Sequence, residues 1–149
     1  MQDLPHQYVV SAHAEGKKNV VLSSDGLEDL ETAGPPQFGG PGDVWSPETL
    51  LVGAVANCFI LSFRAIARTA RLEWLTLDCE VEGDLDKVDG FNQFTGFRTK
   101  ATLTIPDEQY RKKAGVILEK AEKYCLITNS MKAESHLEAE IRVAESAAA

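Results

Sequence analysis

The residues best suited to chemistry are cysteines, and they stand in unlike settings. Cys58 lies in the middle of the longest apolar run, Leu50 to Phe63, whereas Cys125 opens the short string Cys125-Leu126-Ile127-Thr128-Asn129-Ser130-Met131. Brought together by the fold, they would form a thiol pair, one sulfur attacking an electrophile and the other closing a disulfide. A thiol reacts as its thiolate, and an unperturbed cysteine with a pKa of about 8.5 is mostly protonated at neutral pH. Burial raises that value further, so on its setting alone Cys58 is either an inert core residue or a thiol whose anion a cation or helix terminus stabilises. Cys125 ends an amphipathic stretch beside Tyr124 and is either reactive or incidental. Cys79 alternates with Leu77 and Val81 on the inward side of a strand and reads as core filler. An odd count of three without CxxC spacing argues against a disulfide scaffold and a structural zinc site.

The other candidates are weaker. Glu48 precedes Cys58 by ten residues, about 15 Å along one straight helix, so the two cannot touch within it. Either that helix breaks, or Glu48 serves a site formed with another chain, or it only complements the helix dipole. His6, His13 and His136 are scattered, with no spacing for a metal or a catalytic triad. Gly39-Gly40-Pro41-Gly42 lacks the spacing of a phosphate-binding loop and reads as a rigid connector. No cofactor and no metal are expected. Trp45 and Trp74 flank the apolar run and could line a pocket or pack in a core or interface.

These residues need elements to hold them, and the chain is long enough to supply them. Its 149 residues, 44% apolar and 26% charged, suit one α+β domain over 1–149, with the tail 145–149 frayed. With 23 acidic against 15 basic residues and no basic cluster, nucleic acid is an improbable partner. The opening Met1-Gln2-Asp3-Leu4-Pro5-His6 has no secretory pattern, and the run from Leu50 to Phe63, closed by Arg64 and Arg68, is short for a membrane span. A cytoplasmic protein without membrane attachment is expected, in which any disulfide is transient.

Tyr8–Ala12 and Asn19–Ser23 read as a hairpin around Glu15-Gly16-Lys17-Lys18, with a third strand near Leu27–Leu30. The Pro- and Gly-rich stretch from Ala33 to Asp43 is a loop. Ser46-Pro47-Glu48 starts a helix that runs to about Ala70: Ser46 caps, Pro47 suits the first turn, and Glu48 suits the positive dipole end. Apolar residues on every side of this helix require that protein surround it, a sheet on one side and another helix or subunit on the other. Leu75, Leu77, Cys79 and Val81 alternate as a strand, and Phe97 to Ile105 as its antiparallel neighbour through a loop around Asp89-Gly90. Pro106-Asp107-Glu108 opens an amphipathic helix, a short helical piece follows Cys125, and Leu137 to Val143 alternate as a last strand. The architecture is an antiparallel sheet with a central buried helix.

Phe38-Gly39-Gly40-Pro41-Gly42, Ser46-Pro47-Glu48-Thr49-Leu50-Leu51 running to Ala56-Asn57-Cys58-Phe59, and Cys125 to Ala133 together resemble the OsmC/Ohr family, the osmotically inducible and organic hydroperoxide resistance proteins. The resemblance implies the OsmC-like fold: an intertwined homodimer, sheets wrapped around long central helices, with active sites at the subunit interface. It implies that Cys58 attacks the O–O bond of an organic hydroperoxide and becomes a sulfenic acid. Cys125 then condenses with it to a disulfide that a dithiol reductant such as a lipoylated protein reopens. Glu48 would orient the activating cation, and Phe38, Trp45 and Phe59 would favour bulky alkyl hydroperoxides.

The chain departs from the family pattern at two places. Active members use an arginine in the turn after the first strand or in the loop before the main helix; here Lys17 holds the turn position, and residues 37–45 contain neither Arg nor Lys. Lysine carries charge without the planar fork of arginine, and Lys18, Arg64 and Arg98 are other cations that could enter. Leu126 stands where a proline is common after the second cysteine. The leading expectation is a thiol-dependent peroxidase for organic hydroperoxides. The alternatives are a noncatalytic dimer binding a hydrophobic small molecule and a thiol redox sensor.

Overall fold

The computed structural model describes residues 1–145, so the expectation for the tail falls almost wholly outside the described residues. The described residues fall into two compact units, Met1–Leu51 and Val52 onward, with the boundary inside the long helix.

In the first unit, β1 (Ser11–His13), β2 (Val20–Ser23) and β3 (Leu30–Thr32) form an antiparallel sheet in that order. The β1–β2 hairpin turns where expected, but the Tyr8-Val9-Val10 run is exposed and the strand begins only at Ser11, opposite Ser23. The third strand likewise starts later than expected, at Leu30, where Leu30 and Thr32 find Leu22 and Val20 as partners. The proline-rich stretch is a loop apart from one 3-10 turn, Pro36–Phe38. Gly40 is required there, because a Cβ on it would lie 1.6 Å from the Gly34 carbonyl oxygen.

The helix α1 spans Pro47–Thr69. Its start is doubly capped: Thr49 N donates to Ser46 Oγ at 3.1 Å and Ser46 N donates to Thr49 Oγ1 at 2.9 Å, a capping box with Thr in the third position. Only the stripe Val55, Phe59, Phe63 and Ala67 is buried, one residue per turn. Only 28% of the most apolar 18-residue window is buried, and Leu61 is half exposed. The helix as a whole, with mean hydropathy 1.9 in that window, is long and apolar enough to cross a membrane, which the run from Leu50 to Phe63 alone did not suggest. Its buried stripe is instead spent on a packed sheet.

That sheet joins β4 (Thr76–Val88), β5 (Phe91–Ile105) and β6 (Glu134–Val143) in the order β4-β5-β6. β4 and β5 are longer than the alternation of Leu75–Val81 and Phe97–Ile105 indicated, because their outer halves carry polar residues on both faces and pair down to Val88 opposite Phe91. The connection is therefore a tight two-residue turn, with Asp89 and Gly90 at φ 49° and 84°, the left-handed pair that a twisted hairpin favours. β5 is the central strand, so its inward residues Phe97, Thr99, Ala101, Leu103 and Ile105 are all buried. β6 departs from the antiparallel expectation and runs parallel to β5 from Gly96↔Glu134 to Ile105↔Val143. A parallel neighbour needs a crossover, and the chain between them provides it.

The crossover contains α2 (Arg111–Lys123) and the short α3 (Leu126–Asn129). Asp107 Oδ1 accepts from Gln109 N at 2.8 Å and opens a 3-10 turn, Glu108–Tyr110, that leads into α2. Ala114, Ile117, Leu118 and Ala121 are the buried stripe of α2. They join Phe59, Phe63, Leu103 and Ile105 in one core, each large side chain contributing about 1.5–3 kcal/mol through burial. Cys125, between α2 and α3, is buried as well.

Candidate active site

Cys58 is half-buried on α1, one residue before the fully packed Phe59. One turn further on, Ser62 places its Oγ 3.9 Å from the Cys58 sulfur. From the crossover, the Cys125 thiol and the backbone N–H groups of Ile127 and Leu126 act on that thiol's ionisation. Cys125 is buried and is the cap residue of α3, with an extended backbone at φ −64°, ψ 106°. The fold therefore brings together the two thiols that sequence reasoning paired, through a helix on one side and a helix start on the other.

Burial pushes the Cys58 thiol up, yet the donors outweigh it. Donation from the Ile127 amide, the Cys125 thiol, Ser62 and the Leu126 amide leaves the pKa below its ordinary value. None of these groups carries a positive charge.

Cys79 behaves oppositely. Burial, with the nearby Cys125 thiol adding to it, pushes its pKa up to about 11. It packs half-buried against the core as expected of a filler.

Of the remaining candidates, Lys17, Phe38, Trp45 and Glu48 lie in Met1–Leu51 and Phe59 does not. Lys17 is exposed in the β1–β2 turn, and its neighbour Lys18 is held by Glu15 at 2.7 Å. Glu48 has a buried Oε2 with no hydrogen-bond partner among the described residues. Phe38 and Trp45 are 58% and 52% exposed. Trp45 pairs with Thr32 through an isolated parallel bridge and lines a shallow pocket of about 310 Å³ with Gly42, Asp43, Val44 and Thr49. Phe59, expected beside a substrate, is instead 2% exposed and committed to the core.

The profile of the OsmC-like protein family matches residues 40–140, a span that includes both Cys58 and Cys125. The chain belongs to this family. Among relatives of the OsmC-like chain, an uncharacterised protein of Bacillus subtilis, YmaD, is 22% identical over 93% of this chain and 95% of its own length. An organic hydroperoxide resistance protein of Xanthomonas axonopodis is 27% identical over 85% of this chain and 89% of its own. Among solved structures, an OsmC-like protein of unknown function from Vibrio cholerae superposes with a TM-score of 0.82 at 17% identity, covering 91% of this chain and all of that one. The OsmC-like fold, α+β with two sheets and a long helix, is thereby shown.

Arg98, one of the cations considered for this OsmC-like site, is occupied elsewhere. Its guanidinium bridges Glu82 and Asp84 on the exposed face of β4 and β5, and Lys100 joins through Glu82 at 3.2 Å. Arg64 is exposed on α1. Three contributors escaped sequence reasoning: Ser62 and the amides of Leu126 and Ile127. The i, i+4 spacing from Cys58 to Ser62 was a usable signal. The amides carry no residue-type signal, although a cysteine just before a helix start implies free N–H groups beside it.

Proposed function

We propose that this OsmC-like protein is a cytoplasmic homodimer that reduces organic hydroperoxides with its thiol pair. The observation that carries the reading is the Cys58 thiol, whose pKa is drawn down by donors that include the Cys125 thiol. The Cys58 thiolate attacks the O–O bond, the bond breaks, and the alkoxide takes a proton and leaves as an alcohol. Cys58 is then a sulfenic acid. The Cys125 sulfur attacks it, water leaves, and a Cys58–Cys125 disulfide forms. A dithiol reductant, such as the dihydrolipoyl group of a lipoylated protein, exchanges into that disulfide and returns both thiols. A reducing compartment keeps the pair ready, which favours the cytoplasm.

The relative named for organic hydroperoxide resistance supports the substrate class. The uncovered apolar surface of α1, Leu61 included, supports a second copy against it. In the dimer Glu48 is the orienting carboxylate and Lys17 the cation; the support is the unpartnered buried oxygen of Glu48, a group that gains most from a positive partner. Phe38 and Trp45 offer apolar surface to an alkyl chain.

A second reading, a dimer that binds a hydrophobic molecule without turnover, is favoured by one observation: the groups acting on Cys58 include no cation. Turnover separates the two. With a dihydrolipoyl reductant, cumene or tert-butyl hydroperoxide is consumed faster than hydrogen peroxide, Cys58→Ser abolishes consumption, and Lys17→Ala slows it. Equal rates for wild type and Cys58→Ser would sink the enzyme reading.

A further inference from the structure

Ser62 carries the one hydroxyl between Thr49 and Thr69 on the long apolar helix α1. A serine or threonine inside a helix commonly spends its hydroxyl on the carbonyl four residues back. Thr69 does so within α1 itself, donating to Ala65 O at 3.1 Å. Ser62 instead meets the side chain four residues back, with its Oγ 3.9 Å from Cys58 Sγ. Side chains on a helix lean toward its N-terminus, so residue 62 reaches over the turn that carries residue 58. Both residues are half-buried, a setting in which a hydroxyl left without a partner is costly.

A neutral thiol accepts a hydrogen bond only weakly, and 3.9 Å is at the long end for a bond to sulfur. A thiolate accepts far better, and a hydroxyl donating to it makes a charge-assisted bond, among the stronger kinds. The contact therefore favours the ionised form of Cys58 over the neutral one. Little around α1 competes with that hydroxyl. The rows that β5, β6 and α2 turn to the core hold no ionisable residue. β4 offers Cys79, a thiol whose pKa is pushed up to about 11, and the crossover offers Cys125, whose thiol also draws Cys58 down. Arg64 and Arg68, the cations nearest to Ser62 in sequence, are exposed.

We propose that Ser62 is the side-chain donor to the Cys58 thiolate, a hydroxyl of the same helix that holds the sulfur in its ionised form. This deepens the peroxidase reading and rests on it for its catalytic consequence, because the thiolate that Ser62 holds is the one that attacks the O–O bond. The contact itself belongs to the reduced protein whatever its reaction. During an attack, negative charge leaves the sulfur and the hydrogen bond weakens. Ser62 thus raises the fraction of thiolate while making each thiolate somewhat less nucleophilic.

Those two opposed effects make the role testable. Ser62→Ala removes a single oxygen and leaves α1 intact, since alanine is the best helix former. Thr69→Ala removes a hydroxyl of the same helix that is bound to a carbonyl, and serves as the control.

The experiment follows carbamidomethylation of the reduced protein by iodoacetamide from about pH 5 to 10, with peptide mass spectrometry separating Cys58 from Cys79 and Cys125. In Ser62→Ala the Cys58 midpoint rises by about one unit, roughly a tenfold loss of thiolate at a fixed pH below it. The more basic sulfur recovers part of that loss, so alkylation there slows about threefold. On the alkaline plateau Ser62→Ala reacts about threefold faster than wild type, and the two profiles cross. Thr69→Ala follows the wild type throughout. An unchanged midpoint in Ser62→Ala overturns the proposal, as does slowing by the same factor at every pH, or an equal shift in Thr69→Ala. Because no hydroperoxide enters the measurement, a protein that fails as a peroxidase and a serine that fails as the donor give different results.

Discussion

Cys125, at the cap of α3, lowers the pKa of the Cys58 thiol on α1. The two belong to different elements, a long core helix and the end of a crossover, and they are held by the packing of Phe59 and Phe63 against Ile117, Leu118 and Ala121.

That core sets the first prediction. Phe63 is fully buried and meets the Trp74 ring edge-on at 5.3 Å between centroids. Phe63→Ala lowers the free energy of unfolding by about 3–5 kcal/mol, read from the shift in urea midpoint at constant slope.

The uncovered face of α1 sets the second. Leu61 is 51% exposed on α1, three residues beyond Cys58. Leu61→Arg puts a charge into the proposed interface and converts the dimer to a monomer in sedimentation velocity at micromolar concentration. A wild-type monomer under the same conditions removes the second copy from the account.

Cys79 sets the third. Its folded pKa is raised from the ordinary 9.0 to about 11. The folded chain thus holds the proton more tightly than the unfolded chain does. Above the unfolded value the unfolded state binds fewer protons, so stability falls as pH rises through that window and is unaffected below it. Cys79→Val removes this contribution, seen as a flatter urea midpoint between about pH 9 and 11.

Much of this arrangement was legible beforehand. Ser46-Pro47-Glu48 marks a helix start whatever the tertiary context, and the alternation from Phe97 to Ile105 marks a strand covered on one face. Cys58 and Cys125 were paired through the motifs around them. The direction of β6 was not legible, because alternation in Leu137–Val143 is the same for parallel and antiparallel neighbours and only the α2 crossover decides. The outer halves of β4 and β5 escaped because Gly83, Lys87 and Asn92 interrupt the apolar side of the period of two. Nor could composition reveal what acidifies Cys58. Charged side chains such as Lys17, Arg64 and Arg98 stand out in a sequence, whereas the groups that lower the Cys58 pKa are the Cys125 thiol, a serine one turn away and two backbone amides.

The central claim is that Cys58 is the attacking sulfur and Cys125 the one that closes on it. The most direct measurement is peptide mapping of the reduced protein after one equivalent of cumene hydroperoxide. The account predicts one Cys58–Cys125 disulfide, a trappable sulfenic acid at Cys58 in Cys125→Ser, Cys79 left as a thiol, and no reaction in Cys58→Ser. Peroxide left unconsumed, or oxidation that begins at Cys79 or Cys125 with Cys58 untouched, would contradict it.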